Sequence, residues 1–218
     1  MIKNKVISFD LDGTLTDSCF VDSVWHDAIP RLYSIKNKVA LDDAKEAVIR
    51  EYNKIGRDRL EWYDLNYWIR HFDFGTSWKN LFNQYQNRIK IYPDVVESLE
   101  VLTQKGSRLV ITTNASTEFL EFQLAKTNIE SYFEACFSAT SDFGLVKKTT
   151  RVYQEVCSKL DISPGELIHI GDDRQFDFHV PRRLGILAFH LDRSGANKGE
   201  YVIHNLRDLN QKLVKPTF

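Results

Sequence analysis

Two carboxylates two residues apart, Asp10 and Asp12, follow the apolar run Val6-Ile7-Ser8-Phe9 and precede Gly13-Thr14-Leu15. A run of Val, Ile and Phe bounded by polar residues reads as a short buried strand, and Gly13 punctuates its end. Residues two apart on extended chain project to the same side. Both carboxylates therefore share one space at the carboxyl end of a strand, where open α/β sheets keep their reactive groups. Two such charges repel by ~4 kcal/mol at 4 Å and an effective dielectric of about 20. A bound cation or a proton relieves this, and the expectation is a cation. The pair suits one carboxylate as nucleophile and the other as acid and base. A strand-to-turn pair that merely caps backbone amides would use the same two residues.

Three further segments carry chemistry. Leu109-Val110-Ile111-Thr112-Thr113-Asn114 is a strand followed by a hydroxyl and an amide, with a helix starting near Ser116. Free N–H groups at a helix start, joined by Thr113 and Asn114, make a cradle for phosphate oxygens; an ordinary helix cap by Asn114 or Ser116 is the plainer alternative. Gly144-Leu145-Val146-Lys147-Lys148 precedes another helix, and a lysine there can neutralise charge as attack occurs. Ile168-His169-Ile170-Gly171-Asp172-Asp173-Arg174-Gln175-Phe176-Asp177 puts three carboxylates after a buried strand, more than turn capping requires. Such an oxygen-rich set selects Mg²⁺ over soft metals, and the alternating spacing of an EF-hand loop is absent. His169, inside the strand, reads as a satisfied core residue.

Elements must bring these segments together. Strand-like runs recur at 6–9, 109–112, 135–137, 167–170 and 186–190, and helical patterning at 94–105, 117–127, 149–160 and 174–184 separates the later ones. That alternation predicts an α/β fold with a parallel sheet. Between the first two strands, residues 17–92 are helix-patterned, notably 39–54 and 58–72, and hold all four tryptophans, Trp25, Trp62, Trp68 and Trp78. The expected organisation is a core of residues 1–16 and 93–218 with an inserted helical cap at 17–92, most of whose rings form its own core.

Composition narrows the class. Lys and Arg number 29 against 30 Asp and Glu, so no net field favours nucleic acid or an anionic membrane. The three cysteines, Cys19, Cys136 and Cys157, match no zinc or CxxC spacing. No apolar stretch approaches the ~18 residues of a membrane span, and Met1 to Lys5 lead into the first strand without room for a signal peptide. A soluble cytoplasmic protein is expected.

Taken together, the four segments resemble the haloacid dehalogenase superfamily, in particular its phosphatase branch with a helical cap after the first motif, and the resemblance covers essentially the whole chain. Asp10 to Leu15 matches the DxDGT(L) motif, Thr113-Asn114 the second, Lys147 the third, and Gly171-Asp172 with Asp177 the fourth. The fold implied is a Rossmann-like parallel sheet with helices on both faces. The activity implied is Mg²⁺-dependent hydrolysis of a small-molecule phosphate ester. Asp10 would attack phosphorus to form an aspartyl-phosphate, and Asp12 would protonate the leaving oxygen and then activate water. Asp10, Asp172 and the Asp12 carbonyl would hold Mg²⁺, with Asp177 and Asp173 acting directly or through water; Thr113, Asn114 and Lys147 would hold the phosphoryl oxygens. The chain departs from the pattern in two places. Lys148 stands where relatives carry proline, which leaves Lys147 and Lys148 both eligible, with Lys147 preferred for its spacing to Gly144 and Tyr153. Asp173 stands where Ser or Thr is common.

Rival readings are a 2-haloacid dehalogenase, which does not need Asp12, and a phosphomutase or phosphotransferase, which differs in the acceptor. A phosphonatase would need a cap lysine, and Lys36, Lys38, Lys45 and Lys54 carry no distinguishing mark. From another class, a non-catalytic binding protein could keep the fold, although no essential motif is missing.

Overall fold

Short apolar runs become the strands of a single parallel sheet in the computed structural model, which describes residues 5–214. The expectation made for Met1–Asn4 lies outside the described residues. Strands β1 (Val6–Phe9), β2 (Arg108–Thr113), β3 (Ala135–Ser138), β4 (Leu167–Gly171), β5 (Leu187–Leu191) and β6 (Val202–Ile203) follow in chain order. In space the order is β3-β2-β1-β4-β5-β6. Phe9 registers with Ile111 on one side and Ile170 on the other, so β1 lies between β2 and β4. The direction of winding reverses there, and a crevice opens at the carboxyl ends of those strands.

Alternation along the strands sends neighbouring residues to opposite faces. Ile7, Phe9, Leu109 and Ile111 pack with Leu99 of helix Val95–Gln104 and Leu120 and Leu124 of helix Thr117–Thr127. Val6 and Val110 meet Val152 and Val156 of helix Thr150–Leu160 on the other face, with Val180. The α/β class with helices on both faces holds. Strand β6 was not expected: at two residues it is too short to carry a periodic signal.

Two helical expectations need correction. The segment 174–184 is not one helix: a π-helical stretch, Arg174–His179, leads into a short turn, Val180–Arg182. Pro181 has no N–H for the Asp177 carbonyl, which removes an α-helical rung at that point. The segment 58–72 also breaks. A 3₁₀ turn at Leu60–Trp62 precedes helix Leu65–His71, because Asp64 accepts the Tyr67 N–H at 3.0 Å and starts the chain afresh.

The chain divides into two compact units, Met1–Asp17 with Ile91–Phe218, and Ser18–Lys90. The second is built of helices around aromatic rings. Trp68 is fully buried, 4.6 Å from Tyr52 and 5.6 Å from Phe72 between ring centroids. Trp25, Trp62 and Trp78 are only half-buried, with Trp25 stacked on Trp62. Of the four tryptophans, Trp68 alone is a true core residue.

Candidate active site

Chemistry-bearing residues gather where β1, β2 and β4 end. The Asp10 N–H donates to the Ile170 carbonyl at 2.8 Å, extending the β1–β4 ladder by one step and fixing the carboxylate at the crevice. Two glycines let further carboxylates close in. Gly13 has φ +79°, and a Cβ there would overlap the Asp172 carboxylate; a Cβ on Gly171 would overlap that of Asp177. Asp10, Asp172 and Asp177 thus each bring an oxygen within 4.8 Å of the others.

The Lys148 ammonium faces these charges. Its Nζ lies 2.7 Å from Asp10 Oδ2 and 2.5 Å from Asp177 Oδ1, with the side chain 1% exposed. Lys147, the preferred position on spacing, is half-buried, its Nζ 5.8 Å above the Phe176 ring. The cause is local. The Thr149 N–H donates to the Lys147 carbonyl at 2.7 Å, a three-residue turn centred on Lys148 that turns this side chain inward just before the helix.

Burial alone would lower the Lys148 ammonium, but Asp10 and Asp177 outweigh it and hold the group above its ordinary value. Burial would raise Asp177, yet Lys148 and His169 keep it well below the usual carboxylate range. Asp10 goes the other way: burial raises it, and the pull of Lys148 is offset by the charges of Asp177 and Asp172. Asp172, exposed as a residue but with its carboxyl packed over Gly13, is raised by desolvation and by Asp177.

Both Asp177 oxygens are engaged by protein donors. Oδ1 receives His169 Nε2 at 3.0 Å besides Lys148, and Oδ2 receives the Asp173 N–H at 3.0 Å. His169 is fully buried and reaches Ser8 Oγ through Nδ1 at 2.9 Å; burial lowers its pKa more than Asp177 raises it, which favours a neutral ring donating from Nε2. Tyr153, also buried, donates its hydroxyl to the Phe176 carbonyl at 2.7 Å. Sequence reasoning left His169 as a core residue and treated Tyr153 only as a spacing mark; both support this side of the pocket.

The second carboxylate of the first motif is held from elsewhere. Asp12 Oδ1 accepts from Gln123 Nε2 at 2.9 Å, and Gln123 Oε1 accepts from Thr16 Oγ1 at 2.9 Å. Gln123 was missed. Its signal was a polar residue at a helical position flanked by Leu120 and Leu124, on the face that packs against the sheet. Thr113 is 1% exposed at the end of β2, its Oγ1 accepting the Ala115 N–H at 3.2 Å. Asn114 Oδ1 and Ser116 Oγ are buried without a hydrogen-bond partner among the described residues, at the start of helix Thr117–Thr127. Buried polar atoms of this kind await a polar partner.

The donor set fits a hard divalent cation. Three carboxylates against one ammonium leave uncompensated negative charge, and all the donors are oxygens, the set that suits Mg²⁺. Asp173 stands apart from this set: its Oδ1 accepts the Gln175 and Phe176 N–H groups at 2.8 and 2.9 Å and caps the following helical segment.

Residues 4–178 match the haloacid dehalogenase-like hydrolase family. Over 201 residues the chain is 26% identical to the GMP/IMP nucleotidase YrfG of Escherichia coli (strain K12), covering 91% of this chain and 88% of the relative. It is 28% identical over 206 residues to the phosphoglycolate phosphatase of Vibrio vulnificus (strain YJ016), covering 90% and 86%. Among solved structures, the HAD phosphatase from Thermococcus onnurineus superposes with a TM-score of 0.82 at 26% identity, covering 96% of this chain and 98% of that one.

Proposed function

The chain belongs to the haloacid dehalogenase-like hydrolases, and on that premise we propose that it is a Mg²⁺-dependent phosphatase that hydrolyses a small-molecule phosphomonoester through an aspartyl-phosphate on Asp10. One observation carries the reading: a buried carboxylate, Asp10, pairs with a buried ammonium, Lys148, while a second carboxylate two residues on is held separately by Gln123. A dehalogenase needs the first carboxylate and has no use for the second.

In the first step an Asp10 oxygen forms a bond to phosphorus as the bond to the ester oxygen breaks, and Asp12 gives that oxygen its proton. In the second, Asp12 takes a proton from water, the water oxygen bonds to phosphorus, and the bond to Asp10 breaks. Both carboxylates return to their starting forms. Lys148 stays beside Asp10 throughout and offsets charge on the transferring phosphoryl group. Thr113, Asn114 and the first N–H groups of helix Thr117–Thr127 receive its oxygens. Asp10, Asp172 and the Asp12 carbonyl would hold Mg²⁺, which supplies positive charge to the phosphoryl oxygens when bound. Asp177, whose oxygens accept from Lys148, His169 and the Asp173 N–H, would support the metal directly or through water.

The substrate class is a small phosphate ester. The nucleotidase and phosphoglycolate phosphatase names of the relatives support this, as does the insertion of a helical unit, Ser18–Lys90, directly after the first motif. A cytoplasmic location fits three free cysteines, and no helix among the described residues is long and apolar enough to cross a membrane. The test is phosphate release from a panel of nucleoside monophosphates, phosphoglycolate and sugar phosphates, with Mg²⁺ and with chelator. Turnover that needs Mg²⁺ and falls by more than about 10³-fold in Asp10→Asn is expected. No phosphate released from any compound by the wild type overturns the proposal.

A further inference from the structure

We infer that Gln123 is a positioning residue for proton transfer, setting the orientation of the Asp12 carboxyl group toward the leaving group; this rests on the phosphatase reading above. Gln123 is fully buried on helix Thr117–Thr127, and an amide in that setting costs several kcal/mol unless its groups are satisfied. Its two ends are satisfied by the two ends of the first-motif loop. Nε2 donates to Asp12 Oδ1 and Oε1 accepts from Thr16 Oγ1, each at 2.9 Å.

The network fixes the direction of the amide. Reversed, it would set Oε1 against the Asp12 carboxylate, two acceptors facing each other whenever Asp12 is ionised. The fully buried Thr16 hydroxyl lies nearer Oε1, at 2.9 Å, than its other acceptor, the Leu11 carbonyl at 3.4 Å, so its proton goes to Oε1 and Nε2 faces Asp12. An N–H donated to Oδ1 disfavours a proton on that oxygen. The carboxyl plane of Asp12 is then set by a helix that belongs to neither the first motif nor the fourth. Because Thr16 and Asp12 flank the Gly13 turn, one side chain ties both ends of the loop to the far side of the pocket.

A core glutamine that only fills space makes a different prediction from one that aims an acid. Leaving groups that depart without a proton do not need Asp12 in its first role; alkoxides do. Gln123→Met keeps the length and removes the donor, and Thr16→Val keeps the shape and removes the anchor on Oε1. In both variants kcat/KM should fall by about 10- to 100-fold for the alkyl phosphate that the wild type cleaves best, as expected for a misaimed catalytic group. For dinitrophenyl phosphate the loss should stay within about 3-fold, because its leaving group needs no acid. In an Asp12→Asn background Gln123→Met should produce no further selective loss. Equal losses on both substrates, with thermal melts matching the wild type, overturn the positioning role and leave the phosphatase reading intact. A wild type that releases phosphate from neither substrate overturns both.

Discussion

At the scale of single residues, the decisive feature is the identity of the ammonium. Lys147 and Lys148 are adjacent and chemically alike, and the tight turn at Thr149 is what aims the Lys148 side chain inward. Replacing Lys148 by Met leaves Asp10 and Asp177 without their shared cation in a buried setting. We expect Lys148→Met to lower kcat by at least about 100-fold, and to destabilise the fold by about 3–5 kcal/mol, as breaking a buried pair does. Lys147→Met, which loses the contact over the half-buried Phe176 ring, should change kcat by less than about 3-fold. Steady-state phosphate release and urea unfolding on the two variants decide the matter, and a larger catalytic loss in Lys147→Met would return the role to the family spacing. The sequence held both candidates in view, but spacing counts residues and carries no information about which way a turn faces.

At the scale of elements, each site residue is set by the end of a strand or the start of a helix. β1 delivers Asp10, β2 delivers Thr113, and β4 delivers Gly171 and Asp172. These strands were readable because short runs of buried Val, Ile, Leu and Phe bounded by polar residues leave few alternatives. Helix starts were less readable, since they depend on side chains that also suit metal ligation. Asp173 is the instance: its third-carboxylate position suggested a ligand, and it caps the π-helical stretch that presents Asp177. Asp173→Ala should therefore cost about 1 kcal/mol of stability, the usual loss of an N-cap. Mg²⁺ affinity measured by calorimetry should stay within about 3-fold of wild type; a ten-fold or greater loss would restore Asp173 to the metal.

At the scale of the whole molecule, the fold gathers like charges at a cost in stability. Asp10 is held with a raised pKa by burial and by its carboxylate neighbours, against the opposing pull of Lys148. The sign follows from linkage: at neutral pH the ionised Asp10 opposes folding, and this penalty disappears as pH falls to the unfolded value of about 3.9. Asp10→Asn should accordingly raise the unfolding temperature of the chelated protein at pH 7, with the gain shrinking toward zero near pH 4. Thermal melts across that range in chelator read it directly, and an Asp10→Asn variant less stable than wild type at pH 7 would show that the Lys148 pair dominates instead.

The amino-acid order by itself determined the α/β class, the four chemical segments and the oxygen-rich character of the site, because strand patterning and motif spacing are local properties of the chain. The family resemblance carried by those segments is matched by residues 4–178. Tertiary structure alone decided that Lys148 is the buried ammonium, that Asp173 is a cap and that Gln123 holds Asp12 across more than a hundred residues of chain. Those assignments depend on side-chain direction and on contacts between distant segments, which come into being only when the sheet brings the ends of β1, β2 and β4 side by side.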